Sequence, residues 1–255
     1  MKNPQTILIT GASSGIGEAL AETYATPGRI LTLTGRNSER LHRVAEKCRQ
    51  RGAETHAEIL DAQNAEAMAH RLLTIDSKNP IDLAIANAGI SSGTGNGGES
   101  VEQVRELFKT NVDGVINTIY PLLPKMRQRR RGQIAIVSSL AGFRGFAGAP
   151  AYCAGKAAVR VLGEALRAEL ASEGVEVTVI CPGFVRSRIT DANTFPMPFF
   201  MEALPAARII QRRLERNPSR IAFPWPMAFG VWLLAALPAS VADIIASRAP
   251  RKHAQ

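Results

Sequence analysis

Short apolar runs alternate with longer amphipathic stretches along most of the 255-residue chain. The apolar runs have the length and composition of buried strands, and they fall at 5–10, 29–35, 54–60, 81–89, 132–139, 175–183 and 220–224. The amphipathic stretches predict helices at 15–25, 38–51, 63–77, 101–130 and 151–173, with breaks at Pro121 and Pro124. Strands that alternate with helices predict an α/β fold: one doubly wound parallel sheet of about seven strands with helices on both faces.

The composition suits one large domain. Apolar residues make up 45% of the chain, and 255 residues leave little room for a second α/β domain. Cys48, Cys153 and Cys181 form no CxxC unit and the four histidines show no metal-ligand spacing, so we expect neither disulfides nor a metal site. The apolar run near Met1 is too short for a signal peptide, which predicts a cytoplasmic protein.

The chain carries a formal charge of +9, from 31 basic and 22 acidic residues. Its densest basic cluster, 125–132, fits the last turn of a helix that ends at Gly132, where cations complement the helix dipole. No nucleic-acid-binding pattern accompanies this cluster, so we expect no nucleic-acid partner. The charge excess also suits an anionic membrane surface or a phosphorylated ligand.

A glycine-rich turn, TGASSGIG, follows the first predicted strand at 10–17. Glycines let the backbone turn tightly and approach a pyrophosphate, which would rest on the N-terminus of the next helix. At this place in a strand–turn–helix unit the pattern predicts a dinucleotide site. Its residues are Gly11, Ser13, Ser14, Gly15, Ile16 and Gly17.

A second group of residues suits acid–base chemistry. Tyr152 and Lys156 are four residues apart, so they share one face of the predicted helix. A nearby ammonium is expected to lower the pKa of the phenol, which is ordinarily about 10, so that Tyr152 can exchange a proton with a substrate oxygen. Ser139, thirteen residues earlier, ends the fifth predicted strand and would hydrogen-bond the same oxygen. Taken singly, the first two residues could be a surface pair and Ser139 could simply cap or end a strand.

These motifs together resemble the short-chain dehydrogenase/reductase family. Between about residues 5 and 190 the chain has, in the family's order, the T-G-x-x-x-G-x-G turn, Asn87-Ala88-Gly89, Asn111, Ser139, Tyr152-x-x-x-Lys156 and Pro182-Gly183. Ala86 departs from the family's first asparagine. The resemblance implies one Rossmann-type NAD(P)-binding domain over 1–255 and an oxidoreductase that interconverts ketones or aldehydes with alcohols. It also implies a homodimer or homotetramer. A catalytically idle NADP-binding sensor or a membrane-surface scaffold with the same fold is the alternative.

The resemblance also assigns roles to individual residues. It implies a catalytic set of Ser139, Tyr152, Lys156 and Asn111, in which Lys156 holds the nicotinamide ribose and Asn111 supports a proton-relay water. It implies that Asp61 contacts adenine, although a helix N-cap is the alternative reading of this aspartate. The further cofactor contacts that it implies are Asn87, Ala88, Gly89, Pro182, Gly183, Val185 and Ser187, the last in place of a threonine that bonds the carboxamide.

The end of the second strand favours NADP(H) over NAD(H). An NAD site usually has an acidic residue there to bind the ribose 2′-hydroxyl, whereas Arg36 stands nineteen residues after Gly17. We expect Arg36 to pair with a 2′-phosphate, assisted by Asn37. Ser14 departs from many NADP-binding relatives, which have a second basic residue at its position; a surface arginine is the alternative reading of Arg36.

The C-terminal third is expected to select the substrate. The resemblance implies a substrate lid over 188–219, and its Phe-, Met- and Pro-rich stretch 194–204 favours a lipid-, steroid- or acyl-like carbonyl compound. A helix that packs its apolar stripe on the sheet is the alternative reading of this stretch.

An apolar and then basic extension follows at 225–255. Eleven residues between Pro226 and Pro238 are too few to span a bilayer, so we expect two helices, 227–237 and 239–248, with Trp225 and Trp232 at an interface. Peripheral contact with the cytoplasmic face of a membrane is one use of this extension, and burial in a homodimer or against the lid is the other. The basic end that would meet anionic headgroups consists of Arg248, Arg251, Lys252 and His253.

Overall fold

The computed structural model describes residues 1–92 and 98–246, and in this part of the chain seven strands form one parallel sheet. The strands are β1 (Thr6–Thr10), β2 (Ile30–Gly35), β3 (Glu54–Ile59), β4 (Leu83–Ala86), β5 (Gly132–Val137), β6 (Val175–Pro182) and β7 (Arg220–Phe223). Their order is β3-β2-β1-β4-β5-β6-β7. The predicted α/β fold and its doubly wound sheet are confirmed.

The main helices cover both faces of this sheet. They are α1 (Gly15–Tyr24), α2 (Ser38–Gln50), α3 (Ala65–Lys78), α4 (Val101–Phe108), α5 (Gly114–Ile119), α6 (Leu123–Gln128), α7 (Pro150–Leu170), α8 (Arg188–Asp191), α9 (Ala203–Leu214), α10 (Trp225–Ala236) and α11 (Ala239–Ala246). A π-helical turn, Lys109–Asp113, joins α4 to α5, and short 3₁₀ turns lie at Leu140–Gly142 and Ala171–Glu173.

Two of the expected helix boundaries are wrong because of where proline sits. The stretch 101–130 breaks at Tyr120–Leu122, and Pro124 lies within the first turn of α6 rather than breaking a helix. Helix α10 begins at Trp225 instead of residue 227, so Pro226 also occupies a first turn. Proline is tolerated there because the first N–H groups of a helix have no intrahelical acceptor.

The side chains of β1 alternate between two cores. Ile7 and Ile9 pack in the layer that holds α1, α2 and α9, whereas Leu8 packs in the layer of α3, α5 and α7. This alternation follows from the twofold period of a strand, and burial on both faces explains why β1 is apolar almost throughout. Each isoleucine or leucine buried in this way stabilises the fold by about 1.5–3 kcal/mol.

A glycine brings α7 close to the sheet. A Cβ atom on Gly163 would lie 2.6 Å from Val179 Cγ2 and 3.1 Å from Ile136 Cδ1. Only a residue without a side chain fits this approach. Because α7 carries Tyr152 and Lys156 near its beginning, the approach fixes their height above the sheet.

Helix α10 uses one side against the domain and leaves the other exposed. Its inner side packs on the 3₁₀ turn Leu140–Gly142 through Met227, Ala228 and Val231. The outer side presents Trp225, which is 75% exposed, and other exposed apolar residues follow it on α10 and on α11. These are Phe229, Trp232, Leu233, Val241, Ile244 and Ile245.

Helix α11 is tied to the loop after β5. Arg144 Nη2 donates a 2.6 Å hydrogen bond to Asp243 Oδ1. Within 1–92 and 98–246 no helix combines the length and the apolar character that crossing a membrane requires. The basic residues predicted to meet headgroups, from Arg248 onward, lie outside the described residues.

Candidate active site

A cleft of about 630 Å³ opens above the carboxyl ends of the central strands, at the point between β1 and β4 where the strand order reverses. In open α/β sheets ligands bind at this place. Of the predicted site residues, all except Gly17 and Asn111 line the cleft. The structure therefore brings together groups that are spread over most of the sequence.

The glycine turn after β1 packs directly on the segment after β4. Gly11 has φ +64°, and a Cβ there would lie 2.7 Å from Ala88 Cα. A Cβ on Gly17 would lie 2.3 Å from Gly11 O and 2.6 Å from Asn87 Nδ2. Gly17 therefore supports the turn from behind rather than lining the cleft.

The N-terminus of α1 fits an anionic group. Ser14 occupies the N-cap position but makes no capping hydrogen bond with its side chain. The first N–H groups of α1 then lack the partner that a cap would supply, and together with the helix dipole they favour a phosphate. The pyrophosphate of a dinucleotide is an anion that suits this turn.

Asn87 joins the two halves of the sheet at the cleft. Its Nδ2 donates to Thr10 O at 2.9 Å and to Gly11 O at 3.1 Å. Its backbone N–H donates to Thr10 Oγ1 at 3.1 Å. Asn87 thus holds the glycine turn in place, a structural role in addition to the predicted cofactor contact.

Tyr152, Ser139 and Lys156 meet at the inner end of the cleft. Tyr152 shares a hydrogen bond with the Ser139 hydroxyl, and Lys156 Nζ lies 5.8 Å from the centroid of the tyrosine ring. Lys156 Nζ donates to Val137 O at 2.9 Å. The three side chains therefore meet at one end of the cleft.

The pKa values of Tyr152 and Lys156 differ from the sequence-based expectation. Burial raises the pKa of Tyr152, and the hydrogen bond with Ser139 offsets only part of that rise. Burial also lowers the pKa of Lys156 to about 8. The expectation that Lys156 would bring the phenol's pKa down is wrong here, because desolvation raises this pKa and the group that lowers it is Ser139. The phenol is accordingly held in its protonated form.

Ser139 combines both roles considered for it. Strand β5 ends at Val137, two residues earlier than predicted, and Ser139 caps the following 3₁₀ turn by accepting from Ala141 N at 3.1 Å. The cap orients the serine, so its hydroxyl is set beside Tyr152. The capping role and the place in the cleft are compatible.

Asn111 lies in the π-helical turn, behind the cleft and fully buried. Its Oδ1 accepts from Ile90 N at 2.8 Å and its Nδ2 donates to Ile90 O at 2.9 Å. A Cβ on Gly89 would lie 3.0 Å from Asn111 Oδ1 and 3.3 Å from Lys156 Nζ. The asparagine therefore holds the backbone of residues 89–90 against Lys156, and its side chain is already committed to that backbone.

Arg36 lies at the outer end of the cleft between two carboxylates. Its Nη1 is 4.0 Å from Asp61 Oδ2 and 3.9 Å from Glu106 Oε1. The alternative reading of Asp61 as the cap of α3 is wrong, because Asn64 fills that position and accepts from Ala67 N. Asp61 remains beside Arg36 at the edge of the cleft.

Sequence reasoning missed Arg40, which lines the cleft beside Arg36. The Asn37 side chain caps α2 by accepting from Arg40 N at 2.9 Å. The signal was present in the position of Arg40, since it lies in the first turn of the helix that follows the end of β2. What the sequence did not give was the orientation of that turn toward the cleft.

The segment after β6 forms the opposite side of the cleft. Ser187 caps α8 by accepting from Thr190 N, and a Cβ on Gly15 would lie 2.8 Å from Ser187 Cβ. The glycine turn and the segment after β6 therefore touch across the cleft. A Cβ on Gly183 would lie 2.8 Å from Met227 Sδ, which places α10 directly behind this segment.

One helix of the predicted lid 188–219 packs on the core. From α9, Ala206, Ala207 and Ile210 are buried in the same core layer as α1. The stretch 194–204, for which a helix packed on the sheet was the alternative reading, is mostly non-helical and half-buried or exposed, so that alternative is wrong for it. Residues 188–190, at the beginning of the segment, line the cleft, and the lid itself stays a prediction.

The fold and this cleft define a Rossmann-type dinucleotide-binding protein. The short chain dehydrogenase model matches residues 5–195, and the chain belongs to that family. It is 38% identical over 245 residues to an uncharacterized oxidoreductase of Myxococcus xanthus, covering 96% of this chain and 97% of that protein. It is 32% identical over 196 residues to the 3-oxoacyl-(acyl-carrier-protein) reductase of Staphylococcus aureus, covering 75% of this chain and 79% of the reductase.

Solved structures agree with this assignment. A short-chain dehydrogenase from Sphingobium yanoikuyae in complex with NADPH has a TM-score of 0.80 at 26% identity, covering 92% of this chain and 97% of that one. A short chain dehydrogenase from Mycobacterium paratuberculosis bound to NAD has a TM-score of 0.77 at 20% identity, covering 88% and 98% of the two chains, which shows the shared fold. The protein is an oxidoreductase of CH–OH and C=O groups that uses a nicotinamide cofactor.

Proposed function

We propose that the protein is an NADPH-dependent reductase of ketones or aldehydes that also runs in reverse on secondary alcohols. The observation that carries the proposal is the meeting of Tyr152, Ser139 and Lys156 in a cleft whose other end holds Arg36. A general acid, a second hydrogen-bond donor and a cation at one point suit proton transfer to a carbonyl oxygen.

Each of these residues has a separate role in the proposed reaction. Tyr152, kept protonated by its raised pKa, donates a proton to the substrate oxygen while the Ser139 hydroxyl holds the same oxygen. Lys156 carries the positive charge that stabilises the resulting phenolate. Asn111 positions residues 89–90 against Lys156. A bound NADPH would supply the hydride.

The other predicted contacts would hold the cofactor. The glycine turn with Ser13, Ser14 and Ile16 would receive the pyrophosphate. Arg36 and Asn37 would bind the 2′-phosphate, and Asp61 would contact the adenine. The nicotinamide end would rest against the segments 87–89 and 182–187.

We propose a lipophilic substrate with an acyl-like, lipid-like or steroid-like carbonyl. Apolar side chains support this: Ile90, Val185 and Ile189 line the cleft, and Leu140, Phe143 and Met227 pack together behind Gly183. Such a surface matches an alkyl chain or ring system better than a sugar or a charged metabolite. The Staphylococcus aureus relative, a 3-oxoacyl reductase by name, is in keeping with an acyl substrate.

The experiment is NADPH oxidation against a series of ketones and aldehydes graded by chain length and ring size, repeated with NADH. Tyr152→Phe should retain nucleotide binding and lose about 10²-fold or more of kcat, whereas exposed Tyr120→Phe should keep its activity. Unchanged biological activity in Tyr152→Phe would favour the idle sensor. Equal use of NADPH and NADH would exclude the role given to Arg36.

We also propose that α10 and α11 make a peripheral contact with an anionic membrane on the cytoplasmic face. Trp225, Phe229 and Trp232 are each more than half exposed, and 221–242 carries no charged residue in sequence. Exposed tryptophans beside a basic segment suit a membrane interface. Binding to vesicles that contain an anionic lipid, at low and high salt, tests this contact.

Phe229→Ser should weaken the vesicle binding, and the exposed Val161→Ser on α7 is the matched control. Light scattering of the same proteins measures the homodimer or homotetramer that is usual for the family. If Phe229→Ser dissociates the oligomer and vesicles never bind, the exposed face is a contact between subunits instead.

A further inference from the structure

Arg160 joins helix α7 to the 3₁₀ turn that follows Ser139. It lies one helical turn beyond Lys156, and its Nε donates to Gly142 O at 3.1 Å. Gly142 ends the 3₁₀ turn and packs tightly on α7, since a Cβ there would lie 2.8 Å from the carbonyl oxygen of Lys156. The turn therefore rests directly on the helix of the reaction centre, and the arginine bonds it there.

A second arginine and a glutamate complete a cluster around Phe143, the residue after the turn. The Cζ atoms of Arg160 and Arg220 lie 5.0 Å and 4.8 Å from the centroid of the Phe143 ring. Both carboxylate oxygens of Glu164 accept from Arg160 Nη1 at 3.0 Å, and Oε1 also accepts from Arg220 Nη2. The carboxylate offsets the repulsion between the two cations, which can then share one aromatic ring. Because Arg220 begins β7, the cluster holds Phe143 between α7 and the sheet.

The position of the turn determines where the Ser139 hydroxyl points. Ala141 N donates to Ser139 Oγ at 3.1 Å, and Gly142 N donates to Ser139 O at 3.0 Å. The same hydroxyl shares a hydrogen bond with Tyr152. Hydrogen bonds weaken steeply when their angle or length departs from the optimum, so a turn that shifts on α7 would misplace the hydroxyl relative to Tyr152.

Arg167 on the same helix offers a matched comparison. It is half-buried like Arg160, and its guanidinium also makes several hydrogen bonds. Its Nη1 donates to Asn217 Oδ1 at 2.8 Å and to Val177 O, and its Nη2 donates to Asn217 O at 2.9 Å. These bonds join α7 to β6 and to the segment before β7, so they stabilise the fold at a different place from the turn after Ser139.

We propose that Arg160 is a positioning residue for the reaction: through Gly142 it holds the turn that orients the Ser139 hydroxyl beside Tyr152. The inference rests on the proposed function, because it requires Ser139 to hold the substrate oxygen. Glu164 supports Arg160 in this role, since it fixes the guanidinium beside the turn.

Amide hydrogen exchange of the cofactor-free protein, followed by NMR, tests the structural part of the proposal. Arg160→Met keeps the length of the side chain and removes its donors and its charge. Exchange at the amides of Ala141 and Gly142 should become about tenfold faster in this variant, because one bond that holds the turn is lost. Arg167→Met should leave exchange at these two amides unchanged, although it also loses hydrogen bonds.

Kinetics in the wild-type and Ser139→Ala backgrounds test the catalytic part. Ser139→Ala should lower kcat of carbonyl reduction by about 10²-fold, and Arg160→Met should lower it by about tenfold with KM changed less than about twofold. In the Ser139→Ala background, Arg160→Met should change kcat less than about twofold, because the hydroxyl that it positions is absent. Arg167→Met should keep the wild-type kcat.

The outcomes separate this inference from the proposed function. If Ser139→Ala leaves activity unchanged, or if the wild type reduces no carbonyl compound, the proposed function is overturned and the role of Arg160 falls with it. If Ser139→Ala is impaired but Arg160→Met loses the same factor in both backgrounds, Arg160 acts independently of Ser139 and only this inference is overturned. Unchanged exchange at Ala141 and Gly142 also overturns it.

Urea unfolding of each variant shows whether it is folded under the assay conditions. If Arg160→Met is unfolded, Arg160→Lys takes its place in the same assays. A lysine ammonium can pair with Glu164 but lacks the fork of donors that reaches Gly142 O at the same time. We expect the same direction of change in exchange and in kcat, and wild-type values of both in a folded Arg160→Lys would overturn the proposal.

Discussion

The free energy of unfolding should depend on pH through Lys156. The ammonium is buried, it donates to Val137 O, and no carboxylate in the described part of the chain forms an ion pair with it. Burial lowers its pKa from 10.5 to about 8. The unfolded chain therefore binds more protons than the folded chain between about pH 8 and pH 10.5, and stability contributed by this group rises with pH across that window.

The magnitude follows from the two pKa values. A fall from 10.5 to about 8 corresponds to about 3 kcal/mol of cost for the charged form, present in full below pH 8. About 2 kcal/mol of that cost should be relieved between pH 7 and pH 9.5. Lys156→Met keeps a similar volume and removes the titration, so the variant should not gain this stability.

Urea unfolding of the cofactor-free protein at the two pH values measures the effect. The quantity to compare is the free energy of unfolding of the wild type minus that of Lys156→Met. This difference cancels the alkaline titration of other groups such as Cys48, whose pKa burial raises to about 11. We expect this difference to shift by about 2 kcal/mol in favour of the wild type at pH 9.5. The exposed Lys125→Met should show no such shift. A difference that stays constant with pH would refute the buried, unpaired ammonium.

Three further substitutions test the packing around the site. Gly163→Ala places a methyl group 2.6 Å from a valine of β6 and should lower the free energy of unfolding by about 1–3 kcal/mol. Gly145→Ala, at a position with open space around it, should leave the free energy of unfolding unchanged. Equal effects of the two substitutions would contradict the close approach of α7. Asn111→Ala removes both hydrogen bonds to the backbone at residue 90, so the free energy of unfolding in urea should fall by about 1–3 kcal/mol and kcat should fall as well. Full activity of this variant would exclude the positioning role. Arg144→Ala should change global stability by less than about 1 kcal/mol but speed amide hydrogen exchange in α11; unchanged exchange would mean that the ion pair does not hold this helix.

Much of the fold could be predicted because the sequence encodes it locally. Strands buried on both faces, such as β1, must be apolar almost throughout, and this makes them recognisable without a structure. The positions of Gly11 and Gly17 could also be predicted. A Cβ atom at these positions would lie 2.7 Å and 2.3 Å from neighbouring backbone atoms, so only glycine fits. Both features follow from steric rules that apply residue by residue.

The other features of the site depend on how helices and strands pack together. The spacing of residues along the sequence does not specify that packing. The apolar stripe of α9 has the same pattern whether it covers a substrate or the core, and only the structure shows its packing against α1. The pKa of Tyr152 depends on desolvation, so the i, i+4 spacing to Lys156 predicted its direction wrongly. Arg40 became visible only when the first turn of α2 was placed against the cleft. The catalytic and binding roles of these residues remain predictions.

The contact between Met227 and Gly183 has a consequence for the order in which the protein is made. The glycine turn, the end of β2 and the segment after β4 all lie within the first ninety or so residues, so the nucleotide side of the cleft is encoded early. Helix α10, which backs the segment bearing Gly183 and the turn after Ser139, emerges from the ribosome more than a hundred residues later. During synthesis the growing chain therefore has its nucleotide-binding half before the apolar backing of its reaction centre exists.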